Sequence, residues 1–228
     1  MSGDIELASS VRASTTASDR VKWAFFGIMA LCVLLVLWVD ERFWFNPADP
    51  HLHRIAAYKT LLILHGIGGT TALLTGATQF SSRIRRTRTA LHRTFGKVYI
   101  GAVCFSAPIA LYIGTGPLEP PSIRVEQIFQ AGLWCASGLV AWACIRSGQI
   151  AIHKAWMMRS YGFTLIFVLS RVPDAFIAHY SDQLLSDMLW ALVIAAVIAP
   201  EVILTSQTLL CIRSAKARHA DTAVGADV

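Results

Sequence analysis

Residues 57–88 read AYKTLLILHGIGGTTALLTGATQFSSRIRRTR, and this stretch decides the fold. Its first 24 residues hold one charged side chain, Lys59, and can cross about 30 Å of hydrocarbon at about 1.5 Å per residue. The next eight residues hold four arginines. Because basic residues gather at the cytoplasmic ends of transmembrane helices, the stretch predicts a spanning helix that ends inside the cell.

The same alternation of apolar runs and basic links extends along the chain. Hydrophobic residues make up 55% of the sequence and charged residues only 15%, whereas a soluble domain is about a quarter charged. We therefore predict an all-α, polytopic transmembrane bundle of about six spans over residues 21–212, flanked by a disordered tail at 1–20 and a second cytoplasmic tail at 213–228. The predicted spans are Trp23 to Val39, Ala57 to Phe80, Phe95 to Thr115, Val125 to Ile145, Ala155 to Ile177 and Leu185 to Cys211.

The distribution of lysine and arginine predicts how the spans are oriented. Fifteen of the 20 basic residues fall in the two tails and around the links after spans two and four, while four fall on the opposite side. By the positive-inside rule both termini are cytoplasmic. The net charge of +6 comes without a nucleic-acid-binding motif, so we expect a lipid bilayer with anionic headgroups as the partner, not nucleic acid.

One face of span two has an unusual composition. His65, Gly68, Ala72, Gly76 and Gln79 recur at intervals of three or four and share a stripe. Small residues at this spacing allow close approach of a neighbouring helix, a flat ligand or a partner in a helix-mediated oligomer. His65 is either a functional group or a neutral imidazole that forms one hydrogen bond to a partner helix.

Two histidines occupy equivalent places at the cytoplasmic starts of spans three and five. His92 and His153 should lie at nearly the same depth, flanked by Arg93, Lys154 and Arg159. Paired imidazoles suit the two axial positions of a b-type haem, and cations suit its propionates. This pattern predicts His92 and His153 as ligands to haem iron. The alternative is that both histidines are interfacial anchors.

Helical rise argues against a second histidine pair. His65 lies fifteen residues from Phe80, or about 22 Å from the inner boundary. Residues predicted at that level are Tyr112, Cys135 and Arg171, none of which is a histidine.

The remaining intramembrane charges have candidate partners within the chain. Arg171 and Asp174 are one turn apart in span five, which predicts a local ion pair. Glu201 lies within span six, and Arg159 and His153 are its candidate partners. Structural pairing and proton handling both remain open for Glu201.

An ordered set of motifs extends over about Tyr58 to Arg171: Gln79-Phe80, Arg83, Leu91-His92-Arg93, Gly96, Tyr99, His153, Trp156-Met157 and Arg159-Ser160-Tyr161. This set resembles a bacterial family of predicted membrane proteins, domain of unknown function 2306. The resemblance implies a location in the bacterial cytoplasmic membrane and no particular activity. A looser similarity, to b-type membrane cytochromes of the cytochrome b561 and ferric reductase group, covers only histidines on helices beside glycine. Those proteins have level histidine pairs at two depths, whereas only one pair is level here.

Three functions are consistent with these residues. The leading hypothesis is a haem-b electron carrier that exchanges electrons with a cytoplasmic or quinone redox partner. The second is a proton-coupled transporter that uses His65, Arg171, Asp174 and Glu201 as polar stations. The third is a non-catalytic assembly protein in which the stripe of span two is a docking surface. Whether the chain is an enzyme is left open.

Overall fold

The computed structural model describes residues 24–36, 38, 56–117, 119–177 and 181–224. Over these ranges the chain is helical and contains no strand, which confirms the all-α prediction. The helices are α1 (Ala24–Val36), α2 (Lys59–Gln79), α3 (Ser82–Thr87), α4 (Thr89–Gly114), α5 (Pro121–Arg146), α6 (Ile150–Leu169) and α7 (Asp182–Val224), with 3-10 turns at Ala56–Tyr58 and Val172–Ala175.

The chain divides into two compact units, one made of Met1–Ala56 with Val168–His179 and the other of Ala57–Phe167 with Tyr180–Val228. The first unit contains α1 and the 3-10 turn Val172–Ala175, which includes Asp174 and directly follows Arg171. The side chain of Asp174 lies outside the described part of the chain, so the predicted Arg171–Asp174 pair stays a prediction. The second unit contains α2 to α5, most of α6, and α7. It holds the candidate site.

Four helices are long and apolar enough to cross a bilayer: α2, α4, α5 and the Asp182–Ala215 part of α7. In its described part, α1 is too short. Although α6 has 20 residues, it falls outside this group because it carries His153, Lys154, Arg159 and several hydroxyl side chains. Several apolar helices of spanning length are therefore present, and α6, which bears the second predicted haem ligand, is not among these four.

In the second unit many large apolar side chains face outward, and small or polar side chains make up much of the interior. Gly68, Ala72, Gly76, Ser106 and Ser160 are all buried between helices. Large apolar side chains on the outside include Leu74 (62% exposed), Phe105 (49%) and Ile198 (53%). Small interior residues and an apolar surface suit lipid as the solvent, so the fold implies a bilayer environment.

α2 packs against α4, α4 against α5, and α5 against α7. α6 contacts α7 where Gly162 approaches Ala196, since a Cβ added at Gly162 would lie 3.0 Å from the Ala196 carbonyl oxygen. A ring contact between Phe129 and Trp190, with centroids 5.7 Å apart, joins α5 to α7. Five of the six helices of the second unit are thus tied together by direct contacts, and α3 joins them as a short link to α4.

α4 begins at Thr89, six residues before the Phe95 boundary that the sequence predicted. The prediction placed the boundary where the apolar run starts. A helix needs no apolar residues to continue, however, and arginine and lysine are good helix formers. Short α3 ends at Arg88, whose backbone N–H bonds to the Ile84 carbonyl at 2.9 Å, and α4 follows directly. The early start of α4 changes the predicted depth of every residue compared with it.

Candidate functional site

His92 and His153 lie at equivalent positions, each the fourth residue of its helix. The sequence prediction that they share a depth is therefore consistent with the helix boundaries. The Nδ1 atom of His153 lies 2.9 Å from the carbonyl oxygen of Ala141 on α5. Because a carbonyl only accepts hydrogen bonds, Nδ1 donates, and in the neutral ring the lone pair then resides on Nε2.

His92 differs in its hydrogen bonding. Its Nδ1 atom is buried and has no hydrogen-bond partner among the described residues. Its electrostatic neighbours are the cations Arg85 and Arg93 and the second imidazole, His153. A buried polar atom without a partner costs about 1–3 kcal/mol, so such an atom in a native fold needs an explanation.

Directly above the histidines, four side chains form a buried hydrogen-bonded network. The Tyr99 hydroxyl lies 2.8 Å from Ser160 Oγ and 3.0 Å from Thr164 Oγ1. Trp134 Nε1 donates to Thr164 Oγ1 at 2.9 Å, and that hydroxyl donates to the Ser160 carbonyl at 3.2 Å. The network joins α4, α5 and α6, and each of its side chains has a partner. It fixes the helices that carry the two histidines.

The stripe on α2 is a packing surface within the bundle. A Cβ at Gly76 would lie 2.6 Å from the Tyr161 ring and 2.8 Å from the Tyr99 ring. A Cβ at Gly68 would lie 3.0 Å from Ser106. The helix-packing interpretation of these glycines is confirmed, because the rings of α4 and α6 occupy the space that side chains on α2 would need.

His65 belongs to this packed surface. Its Nδ1 atom lies 2.9 Å from Ser106 Oγ and 3.1 Å from the Ser106 carbonyl, and the Ser106 hydroxyl donates back to the His65 carbonyl at 2.9 Å. The edge of the Phe167 ring packs against the imidazole, with centroids 5.8 Å apart. The predicted level with Tyr112 was wrong by six residues, which is the amount by which α4 starts before Phe95. The predicted hydrogen bond to a partner helix is confirmed.

Gln79 is buried at the C-terminal end of the same stripe. Its Nε2 atom lies 3.3 Å from Thr78 Oγ1, and its Oε1 atom lies 3.2 Å from the place where a Cβ on Gly96 would stand. Gly96 is one turn after His92 on α4. Because Gly96 has no side chain, the side-chain amide of Gln79 can approach α4 one turn beyond the His92 imidazole.

Arg159 is bound by Glu201, one of the two partners that the sequence offered for this carboxylate. The Arg159 Nε atom donates to Glu201 Oε1 at 2.5 Å, and the guanidinium lies 4.8 Å above the Trp156 ring. Arg93 and Lys154 are exposed beside the two histidines. In the described ranges, no group of three or more histidine, cysteine or acidic side chains could hold a metal ion, so any metal site here must rest on fewer protein ligands.

Glu126 was not among the site residues predicted from the sequence. Its side chain on α5 is fully buried, and neither carboxylate oxygen has a hydrogen-bond partner within the described chain. Glu126 shares the buried face of α5 with Trp134, Ser137 and Ala141. An acid at helical spacing from small and aromatic residues was the available signal, but its position at the predicted start of span four made it look like a boundary residue.

The comparisons with known proteins identify the family. Neither a curated protein nor a solved structure matches the chain, and the looser similarity to b-type cytochromes has no counterpart among the matches. The family described as "Predicted membrane protein (DUF2306)" matches residues 62–207, which include α4 to α6 and most of α2. Since this match covers more than half of the sequence, the chain belongs to the DUF2306 family of membrane proteins.

Proposed function

We propose that this protein binds haem b in the membrane and transfers electrons, with His92 and His153 as the two axial ligands. The observation that carries the proposal is the buried His92 Nδ1 atom, which has no partner among the described residues, together with His153 at the equivalent position of α6, whose Nδ1 donates to the Ala141 carbonyl. Histidines that ligate metals almost always donate their other N–H to a carbonyl or carboxylate, as His153 does.

The residues around the pair fit the group chemically. Two imidazoles from different helices are the ligand set of a six-coordinate b-type haem. Arg93 and Lys154 are the cations available to its propionates, while Arg159 is assigned to Glu201. When bound, haem would supply one-electron chemistry. The protein's own contribution would be to orient the His153 ring through Ala141 and to hold α4 and α6 through the Tyr99 network.

We propose cytoplasmic or quinone donors as the redox partners, because the histidine pair lies at the ends of α4 and α6 that follow basic links. The proposal includes six spans with both termini in the cytoplasm of a bacterium. The basic link over Arg83–Arg88 supports this orientation. It also includes α6 as a span, since Ser160, Tyr161 and Thr164 point into the bundle and are buried there.

An absorption spectrum tests the haem proposal. The full chain is expressed with haem supplied, purified in detergent, and measured before and after reduction with dithionite. We expect a Soret band that shifts on reduction, as six-coordinate bis-imidazole haem requires. A folded preparation that shows no Soret band in either state would contradict the proposal.

Accessibility labelling tests the orientation separately. In a background without the five native cysteines, Ser82→Cys in α3 should react with an impermeant maleimide only after the cells are lysed. Thr115→Cys, in the link between α4 and α5, should react in intact spheroplasts. The reverse pattern would contradict the proposed topology without bearing on haem.

A second candidate function, proton movement, is favoured by Glu126. A fully buried carboxyl group without a partner is stable only in its neutral form, which makes it a proton-binding group in the bilayer. Glu126→Gln should abolish acid-driven proton flux in proteoliposomes, whereas Glu119→Gln in the preceding link should not. Equal fluxes for Glu126→Gln and the unmodified chain would exclude this function.

A further inference from the structure

A cavity of about 440 Å³ lies where α3 turns into α4 and is lined by Arg83, Ile84, Thr87, Arg88 and Leu91. Two of these side chains are guanidinium groups and two are aliphatic. Ile84 and Leu91 are half-buried, whereas Arg83 and Arg88 are exposed. The cavity therefore combines a cationic side with an apolar side.

The positive charge around this cavity is not balanced by the protein. From Lys59 to Leu118 the sequence contains no aspartate or glutamate. Within the described ranges, none of the cations between the end of α2 and the first turns of α4 forms an ion pair. The ion pair that these ranges do contain joins Arg159 on α6 to Glu201 on α7. These unpaired cations are Arg83, Arg85, Arg86, Arg88, Arg93 and Lys97. Such a concentration of like charge attracts anions from outside the chain.

The walls of the cavity are held by local hydrogen bonds. Ser81 Oγ accepts the Ile84 backbone N–H at 3.3 Å, the Thr87 hydroxyl donates to the Arg83 carbonyl at 2.9 Å, and the Arg88 N–H bonds to the Ile84 carbonyl at 2.9 Å. Since the turn is fixed from both ends, the two guanidinium groups extend from a defined backbone. A defined backbone reduces the conformational freedom that the two arginines lose when they bind an anion.

We propose that this cavity binds the phosphate of an anionic phospholipid, with Arg83 and Arg88 on the phosphate and Ile84 and Leu91 against the start of the acyl chains. Guanidinium groups bind phosphate oxygens in a bidentate manner. A free phosphate would use the same donors, but it would leave the apolar side of the cavity without a function. The position next to the end of α2, a candidate span, places the cavity at headgroup level.

Native mass spectrometry of the full chain in detergent, titrated with phosphatidylglycerol, tests this inference. Arg83→Gln/Arg88→Gln removes both guanidinium groups that line the cavity. Arg86→Gln/Lys97→Gln removes the same charge from neighbours that do not line it. We expect the first double variant to lose about tenfold or more in lipid affinity relative to the second, because a site depends on position and a diffuse field does not.

Two further ligands separate the sources of the phosphate. Phosphatidylcholine should bind more weakly than phosphatidylglycerol, and inorganic phosphate at the same concentration should not displace the bound lipid. Equal losses in the two double variants would overturn the site in favour of diffuse attraction. Displacement by inorganic phosphate would overturn the lipid assignment, and both variants should keep the melting temperature of the unmodified chain.

Discussion

His65 and His92 are both imidazoles on helices of the same bundle, but their surroundings differ. His65 lies in the packed upper region, where Ser106 offers its hydroxyl and its carbonyl to Nδ1 and where Phe167 covers the ring. His92 lies in the first turn of α4, where its Nδ1 is buried without a partner in the described chain and where Arg85 and Arg93 are its electrostatic neighbours. The hydrogen bonds of the His65 ring are formed within the fold, whereas the Nδ1 atom of His92 has no partner in the described chain.

The comparison distinguishes polar side chains whose hydrogen bonds are formed inside the bundle from a polar side chain whose hydrogen bonds are not. Within lipid every buried polar group must find a partner, and the Tyr99 network and the His65–Ser106 pair meet that requirement inside the bundle. His92 does not. His153 stands at the equivalent position of α6, and its Nδ1 is already bound to the Ala141 carbonyl. The following predictions test this division, from the largest expected effect on stability to the smallest.

Gly76→Ala should produce the largest loss, about 1–3 kcal/mol of unfolding free energy, because the new Cβ would lie 2.6 Å from Tyr161 and 2.8 Å from Tyr99. Thermal unfolding in detergent measures this. Gly101→Ala on α4 is the matched control, since nothing lies within 4 Å of its Cβ position. The control should be neutral or more stable by up to about 1 kcal/mol. Equal melting temperatures for the two variants would contradict the packing role of the stripe.

Tyr99→Phe should cost about 1–2 kcal/mol, since it removes the hydroxyl that bonds to Ser160 and Thr164 and leaves both oxygens in a dry interior. The same melting measurement applies. Tyr112→Phe is the control, because Tyr112 is 63% exposed and its hydroxyl has no bond in the described structure. If Tyr99→Phe melted like its control, the network would not hold α4 and α6 together.

Ser106→Ala should cost about 1 kcal/mol, because His65 keeps the Ser106 carbonyl but loses the hydroxyl. Ser206→Ala serves as the control, since the Ser206 hydroxyl is exposed and bonds only to the Val202 carbonyl of its own helix. A Ser106→Ala variant as stable as Ser206→Ala would show that the upper histidine does not depend on its partner.

His92→Leu should have the smallest effect on the stability of the haem-free protein, within about 0.5 kcal/mol or slightly stabilising. The substitution removes a buried nitrogen that has no partner in the described chain. His65→Leu, by contrast, should be clearly destabilising. If His92→Leu unfolded the protein and His65→Leu did not, the division between the two regions would be reversed.

The fold followed from the sequence because lipid imposes a simple rule: long apolar runs separated by basic links become helices. The runs for α2, α4, α5 and α7 are of this kind. Depth was less predictable, because the sequence marks where residues become apolar and not where the helix begins. The six residues between Thr89 and Phe95 shifted His65 from the level of Tyr112 to that of Ser106.

The candidate site was predictable in part for the same reason. His92 and His153 follow similar links, so their matched positions could be derived by counting. Counting residues could not show which polar groups would remain without partners, because this depends on contacts between distant segments. The bond from His153 to Ala141 and the isolation of Glu126 both arise from how α5 packs. The spacing of residues along one helix does not show whether a polar atom on that helix has a hydrogen-bond partner.

The haem content per chain, measured as the pyridine haemochrome, tests the central claim most directly. We expect about one haem per chain in the unmodified protein and in His65→Gln, which retains a donor for Ser106. Haem should fall to near zero in His92→Ala and in His153→Ala, while both stay folded by thermal melting. Haem that persists in His92→Ala, or that is lost in His65→Gln alone, would contradict the assignment of the ligands.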